Sequence, residues 1–157
     1  MTADELNDLI SEHGKNVYNF CCNLTGDRME AEDLYQDTFL KAVELCHKLD
    51  SSGNPKSYLM GISVKLWQNH KRKYSVRQKI LPVQEFDEVQ MQCVNDSGQQ
   101  PELEMIRMER INLVRSGVKQ LPEKIQTVIY LYYTAELSVK EIAQTLHIPN
   151  GTVKSRL

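Results

Sequence analysis

Lys154, Ser155 and Arg156, close to the end of this 157-residue chain, are the residue types that hydrogen-bond phosphate oxygens and guanine edges. They follow a Pro149-Asn150-Gly151 turn, and Val153 and Leu157 are spaced to face inward on the same helix. The stretch before the turn opens on Ser138, which has capping-box spacing to Glu141, and continues with Ile142, Ala143 and Leu146 on one face. Ala143 is the small side chain that two steeply crossing helices need around a short turn. Asn150 or Thr152 is available as the cap of the second helix. The pattern reads as a helix-turn-helix, a motif that lays its second helix in the major groove, with Lys140, Thr152, Lys154, Ser155 and Arg156 as candidate DNA contacts. A small helical bundle with a solvated end is the plainer reading of the same residues. Only about two turns of the second helix precede Leu157, so a chain that stops inside its recognition helix is expected.

A second candidate site lies upstream, where Trp67 stands four residues before a Lys71-Arg72-Lys73 cluster. Flat side chains beside phosphate-seeking cations suit single-stranded DNA, because unstacked bases gain stacking contacts while the backbone is neutralised. Trp67 as a core residue, with lysines snorkelling at a wet helix end, is an equal reading.

The helices that must position these residues follow from apolar spacing; no strand signal of any length appears. A first helix is expected from a Thr2 to Glu5 capping box to about Gly26, with Leu6, Leu9, Ile10, Val17, Phe20 and Leu24 toward one side. A second, from about Met29 to Leu49, buries Ala31, Leu34, Thr38, Ala42, Leu45 and Leu49. After a Ser51-Ser52-Gly53-Asn54 turn, Pro55 is placed as the first residue of a third helix that reaches about Arg77, roughly 35 Å at 1.5 Å per residue. Leu59, Ile62 and Leu66 form its core stripe, and Met60, Val64, Trp67 and Lys71 a second stripe that mixes apolar groups with a cation. Residues 81–102 lose periodicity and read as an acidic, flexible linker. Helical signal returns at Leu103, where Ile106, Ile111, Val114 and Val118 continue an apolar pattern to Leu121. Pro122 then opens a helix containing Ile125, Val128, Ile129, Leu131, Tyr132 and Tyr133. The fold expected is all-α: two small helical domains, 1–80 and 103–157, joined by the linker, the second containing the helix-turn-helix.

Composition narrows the function classes. A hydrophobic content of 41% suffices for one medium domain or two small ones. Net charge is only −2, yet the charge is segregated. Residues 51–84 hold Lys56, Lys65, Lys71, Arg72, Lys73, Arg77 and Lys79 and no acid, while Glu85, Asp87, Glu88, Asp96, Glu102 and Glu104 follow without a Lys or Arg among them. A second acidic cluster, Asp27, Glu30, Glu32, Asp33 and Asp37, precedes the basic block. Such blocks imply separate partners for separate surfaces. No apolar run approaches a membrane span, and Met1 to Leu9 carry acids where an export signal is basic, so no membrane insertion and a cytoplasmic location are expected. The four cysteines, Cys21, Cys22, Cys46 and Cys93, form no C-x-x-C pair and lack histidines at zinc spacing, so buried reduced thiols and no metal are expected. No nucleophile with a base, phosphate loop or metal cage is in evidence, which argues against an enzyme and against a cofactor.

Over nearly its whole length the chain resembles the extracytoplasmic-function sigma factors of bacterial RNA polymerase. Two stretches carry the resemblance: Ala31-Glu32-Asp33-Leu34-Tyr35-Gln36-Asp37-Thr38-Phe39-Leu40-Lys41-Ala42, and Leu121-Pro122-Glu123-Lys124 onward through Glu141-Ile142-Ala143 to Gly151-Thr152-Val153-Lys154-Ser155-Arg156-Leu157. The resemblance implies that Asp33, Gln36 and Asp37 dock on the polymerase clamp helices. It implies that the turn with Ser52 and Asn54 captures a base flipped from the minus-ten element, at an unstacking cost of a few kcal/mol. Lys56, Lys65, Trp67, Lys71, Arg72 and Lys73 would hold the melted strand, and the acidic linker would thread toward the RNA exit path, although a plain tether explains its composition equally. An anti-sigma partner is implied in the same way.

The chain departs from the family pattern at Val64-Lys65, where an Arg-Asn pair is common, and at Trp67, where the residue is usually small. Both imply a different minus-ten base preference. Family members also continue past the position of Leu157. With each good base contact worth about 1 to 3 kcal/mol, a missing turn would weaken minus-thirty-five reading by orders of magnitude. The function expected is therefore an alternative sigma factor that binds core RNA polymerase and promoter DNA, duplex and melted. An autonomous helix-turn-helix regulator and a polymerase-binding decoy are the alternatives. Charge reversal at Asp33 and Asp37 separates the autonomous regulator from the other two.

Overall fold

In a computed structural model that describes residues 3–45, 53–80 and 101–157, every regular element among the described residues is helical. Three long helices, α1 (Ala3–Thr25), α2 (Arg28–Glu44) and α3 (Pro55–Ile80), pack on one another as a first unit. The second unit comprises α4 (Pro101–Lys119), α5 (Glu123–Ile129), a π-helical turn (Tyr130–Thr134), α6 (Val139–Leu146) and α7 (Asn150–Arg156). Thr2, Cys46 to Ser52 with Leu49 among them, and 81–100 with Cys93 lie outside the described residues. The α1 cap, the Ser52 site, most of the linker and two of the cysteines fall there. Pro101 and Glu102, read from the sequence as linker, are the first residues of α4.

Val17, Phe20 and Cys21 of α1, Ala31, Leu34, Phe39 and Ala42 of α2, and Leu59, Met60, Ile62 and Val64 of α3 make a continuous buried cluster. The α1 helix stops at Gly26, whose φ of 70° suits a residue without a Cβ and whose N–H closes on the Cys22 carbonyl at 2.9 Å. Asp27 then caps α2 by accepting from the Glu30 N–H at 3.0 Å. Inside the unit, Thr38 of α2 and Ser63 of α3 are both fully buried and sit 3.1 Å apart, each also bonded to a carbonyl one turn back in its own helix. That polar pair sets how α2 is rotated against α3, since a buried hydroxyl without a partner costs about 1 to 3 kcal/mol. Cys21 is a buried thiol outside any disulfide whose burial pushes its pKa up to about 12, and Cys22 is buried beside it.

Two stripes differ from the sequence expectation. Met60 and Val64 are buried with Leu59 and Ile62, because α3 is covered on more than one side and its apolar residues do not resolve into one core face and one open face. In α4 no residue is buried: Ile111 and Val118 are half-covered, while Leu103, Ile106, Leu113 and Val114 are at least half exposed. The periodicity identified the helix correctly, but one of its apolar faces has no partner within the described residues.

The second unit packs Val128, Leu131, Ala135, Leu137, Ile142 and Val153 around the helix-turn-helix. Tyr132 and Tyr133, grouped with the apolar positions by spacing, are exposed, because the π turn re-phases the helix there. Contacts of α1 with the π turn and of α3 with α6 join the two units.

Candidate nucleic-acid interface

The helix-turn-helix is built by local devices. Ser138 accepts from the Glu141 N–H at 3.3 Å and the Glu141 carboxylate accepts from the Ser138 N–H at 2.8 Å, the reciprocal capping box. His147 takes the left-handed conformation at φ 54° and ends α6, and the Ile148 N–H reaches back to the Ala143 carbonyl at 3.0 Å. Ala143 and Val153 are buried where α6 and α7 meet. The cap of α7 is Pro149, with no side-chain cap bond, so neither Asn150 nor Thr152 fills that role: φ is preset by the proline ring and the helix starts one residue earlier. Leu157 is 43% exposed rather than turned inward. Lys140 on α6 and Lys154 and Ser155 on α7 are exposed, while Thr152 and Arg156, expected to face outward, are half-buried.

On α3, Lys65, Lys71, Arg72 and Lys73 are exposed and Lys56 is half-buried. Asn54 precedes the helix and its side-chain oxygen accepts from the Lys56 N–H at 3.0 Å, which fixes the turn into α3. Trp67 is half-buried and packs against the core on one side. His70 stacks on its ring at 5.6 Å and the Lys71 ammonium stands 5.7 Å from its centroid, a cation–π arrangement. Each of the two sequence readings of Trp67 thus describes one part of the ring.

Asp33, Gln36 and Asp37 are exposed together on the outer face of α2, away from buried Ala31, Leu34, Thr38 and Ala42. Sequence reasoning missed their companions Met29 and Leu40, which are 76% and 64% exposed at helical spacing from Asp33 and Asp37. The signal was present, in apolar residues that lie off the core stripe. The result is an exposed strip of acids alternating with large apolar groups.

The structure also brings together residues that are far apart in sequence. The Asn54 amide donates to the Glu141 carboxylate, Lys71 pairs with Glu123 at 3.2 Å, and the Asn23 amide donates to the Thr134 hydroxyl at 3.1 Å. Glu141 is held below the usual carboxylate range, first by the Ser138 N–H and O–H and then by the Asn54 amide. Between α3 and the second unit runs a cleft of about 930 Å³, lined by Lys71, Arg72, Lys124 and Arg156 among others. Candidate minus-ten and helix-turn-helix residues therefore face one another across it, while Asp33, Gln36 and Asp37 take no part. Among the described residues no group of side chains suits a metal ion, and no helix is long and apolar enough to cross a membrane.

Residues 9–77 match the Sigma-70 region 2 family and residues 111–157 the Sigma-70, region 4 family. The chain is 30% identical to the ECF RNA polymerase sigma factor SigW of Bacillus subtilis, over 98% of this chain and 83% of SigW. It is 28% identical to SigM of the same organism, over 100% of this chain and 89% of that protein. Its fold matches the sigma factor RpoE of Bartonella quintana, solved in complex with the anti-sigma factor NepR, at a TM-score of 0.79 and 21% identity over 99% of this chain and 91% of RpoE. An autonomous helix-turn-helix regulator has no need of the region 2 unit that fills the first half of the chain. The chain belongs to the extracytoplasmic-function sigma factors, non-enzymatic initiation factors that bind core RNA polymerase and direct it to promoter DNA.

Proposed function

We propose that the two units divide the work of a sigma factor between them. Residues 1–80 dock on core polymerase and hold the melted minus-ten strand, residues 101–157 read the minus-thirty-five element, and 81–100 connect the two. Asp33, Gln36 and Asp37, with Met29 and Leu40, form the polymerase contact: apolar area supplies affinity and the acids supply register. Asn54, Lys56, Lys65, Trp67, Lys71, Arg72 and Lys73 serve the minus-ten strand. The lysines and Arg72 neutralise backbone, and the Trp67 ring, already covered by His70, offers an edge rather than an open stacking platform. On α7, Arg156 and Lys154 reach guanine edges or phosphates, with Thr152, Ser155 and Lys140 on the flanking backbone.

The observation that carries this assignment is the exposed acid-and-apolar strip on α2, set apart from the basic surface of α3. The same reading places the protein in the bacterial cytoplasm, where polymerase acts, and gives it an anti-sigma partner, as RpoE of Bartonella quintana has in NepR. Charge reversal tests it. Asp33→Lys with Asp37→Lys should weaken association with core polymerase by about tenfold or more while leaving the helical fold intact, since both residues are exposed. Unchanged co-purification with core polymerase would move the docking surface elsewhere.

A further inference from the structure

The longest helix of the second unit, α4, has no helix packed along it among the described residues. Glu104, Met108, Ile111, Arg115 and Val118 are half-covered and mark the side that faces the rest of the chain. Turned away from that side, Leu103, Ile106, Arg110, Leu113 and Gly117 follow one another at spacings of three and four, the a and d positions of a heptad, and all five are exposed. Val114 widens the stripe, and the space over Gly117 is open, since a Cβ there would meet nothing within 4 Å. Most helical stability in a folded protein comes from packing an amphipathic face, and this face stands formed with nothing against it.

The charges that flank the stripe indicate what fits it. Glu102 and Glu109 occupy g positions, Arg107 an e position, and Arg110 an a position within the stripe itself. Among the described residues none of the four has an ion-pair partner in its own chain. When two such helices pair in parallel, g faces e of the next heptad across the seam and lies beside a. Glu102 then meets Arg107 of the second copy and Glu109 meets its Arg110, each contact made twice by two-fold symmetry. Antiparallel pairing would set g against g, glutamate against glutamate. We propose that two copies of the chain associate through α4 as a parallel, in-register pair. The charged a position costs stability and fixes the register. From Leu103 to Gly117 the seam is about 21 Å long at 1.5 Å per residue. Two heptads are too short for a free-standing coil, but the fold presents α4 already helical, so the pair is weak and concentration-dependent, with a dissociation constant on the order of 10 μM. No residue assigned above to polymerase or promoter lies on α4, and both copies run from α4 into α5 at the same end of the seam, which displays two helix-turn-helix units side by side.

Sedimentation equilibrium of the full chain across the micromolar range, without polymerase or DNA, reads the association directly. A monomer–dimer equilibrium is expected. Leu113→Lys should weaken it about tenfold or more while leaving the melting temperature of the monomer unchanged, because the side chain is exposed in the single chain. Glu102→Arg should weaken it a few-fold by setting like charges across the seam, and adding Arg107→Glu should restore it. Leu103→Cys, in a Cys46→Ser and Cys93→Ser background, should give a disulfide-linked dimer under mild oxidation, since a parallel in-register pair places this position opposite itself and an antiparallel one does not. A chain that stays monomeric throughout the range overturns the pairing, as does a dimer indifferent to Leu113→Lys or one that Leu103→Cys fails to cross-link. A monomeric chain whose binding to core RNA polymerase falls with Leu113→Lys gives the stripe to polymerase and overturns the pairing as well. Because association is read without polymerase or promoter, failure of the sigma-factor assignment would leave it standing.

Discussion

In the first unit three helices of 23, 17 and 26 residues converge on Phe20, Leu59 and Met60, all essentially inaccessible to solvent. In the second, α5, α6 and α7 have 7, 8 and 7 residues, and the longest helix, α4, buries nothing. Helices that short are not stable alone, so the second unit depends on features that act within a turn or two: the Ser138 and Glu141 box, the left-handed His147, the Pro149 entry and the small Ala143. The first unit is held together by buried area. The second is held by caps, and one apolar face of α4 is uncovered among the described residues.

Substitutions that remove area from one unit or a cap from the other put that contrast to the test. Phe20→Ala should cost about 3 to 5 kcal/mol in urea or thermal unfolding, enough to threaten the folding of the whole first unit. Ser138→Ala should cost about 1 kcal/mol and weaken duplex DNA binding through α7 while leaving polymerase association in place. Equal costs for the two would break the division between area and caps.

Acidification sharpens the same point. Because the folded state holds the Glu141 carboxyl below its ordinary range, the stability it contributes is fully present above the pH at which a free glutamate titrates, and is lost as pH falls through the folded-state value. The gap in melting temperature between wild type and Glu141→Gln should therefore narrow as pH drops below about 4.3, and Asn54→Ala should reduce it less than Ser138→Ala does. The smallest effect belongs to α4: Leu113→Lys, at a site 75% exposed, should shift stability by no more than about 0.5 kcal/mol.

Features whose cause is local were legible in the sequence. The α6 capping box, the turn at Pro149, the Ala31, Leu34, Thr38 and Ala42 stripe and the start of α3 at Pro55 all depend on residues within a turn or two of each other. Asp27 was counted as one acid of a cluster when it is the cap of α2, since capping and solvated charge use the same residue type. Met60 and Val64 were misassigned because helical spacing shows which residues share a face and not how many faces are covered. The π turn arises from one extra residue in the Tyr130 turn and has no spacing signal. The bond from Asn54 to Glu141 spans 87 positions, and Gly61, which admits Thr145, looked like any other helix-interior glycine.

The most direct test of the central claim is to reconstitute the chain with bacterial core RNA polymerase on sheared genomic DNA and to sequence the transcripts it starts. A small set of new, reproducible start sites that vanish with Asp33→Lys and Asp37→Lys is expected. Start sites unchanged from core polymerase alone, with no complex formed, would contradict it.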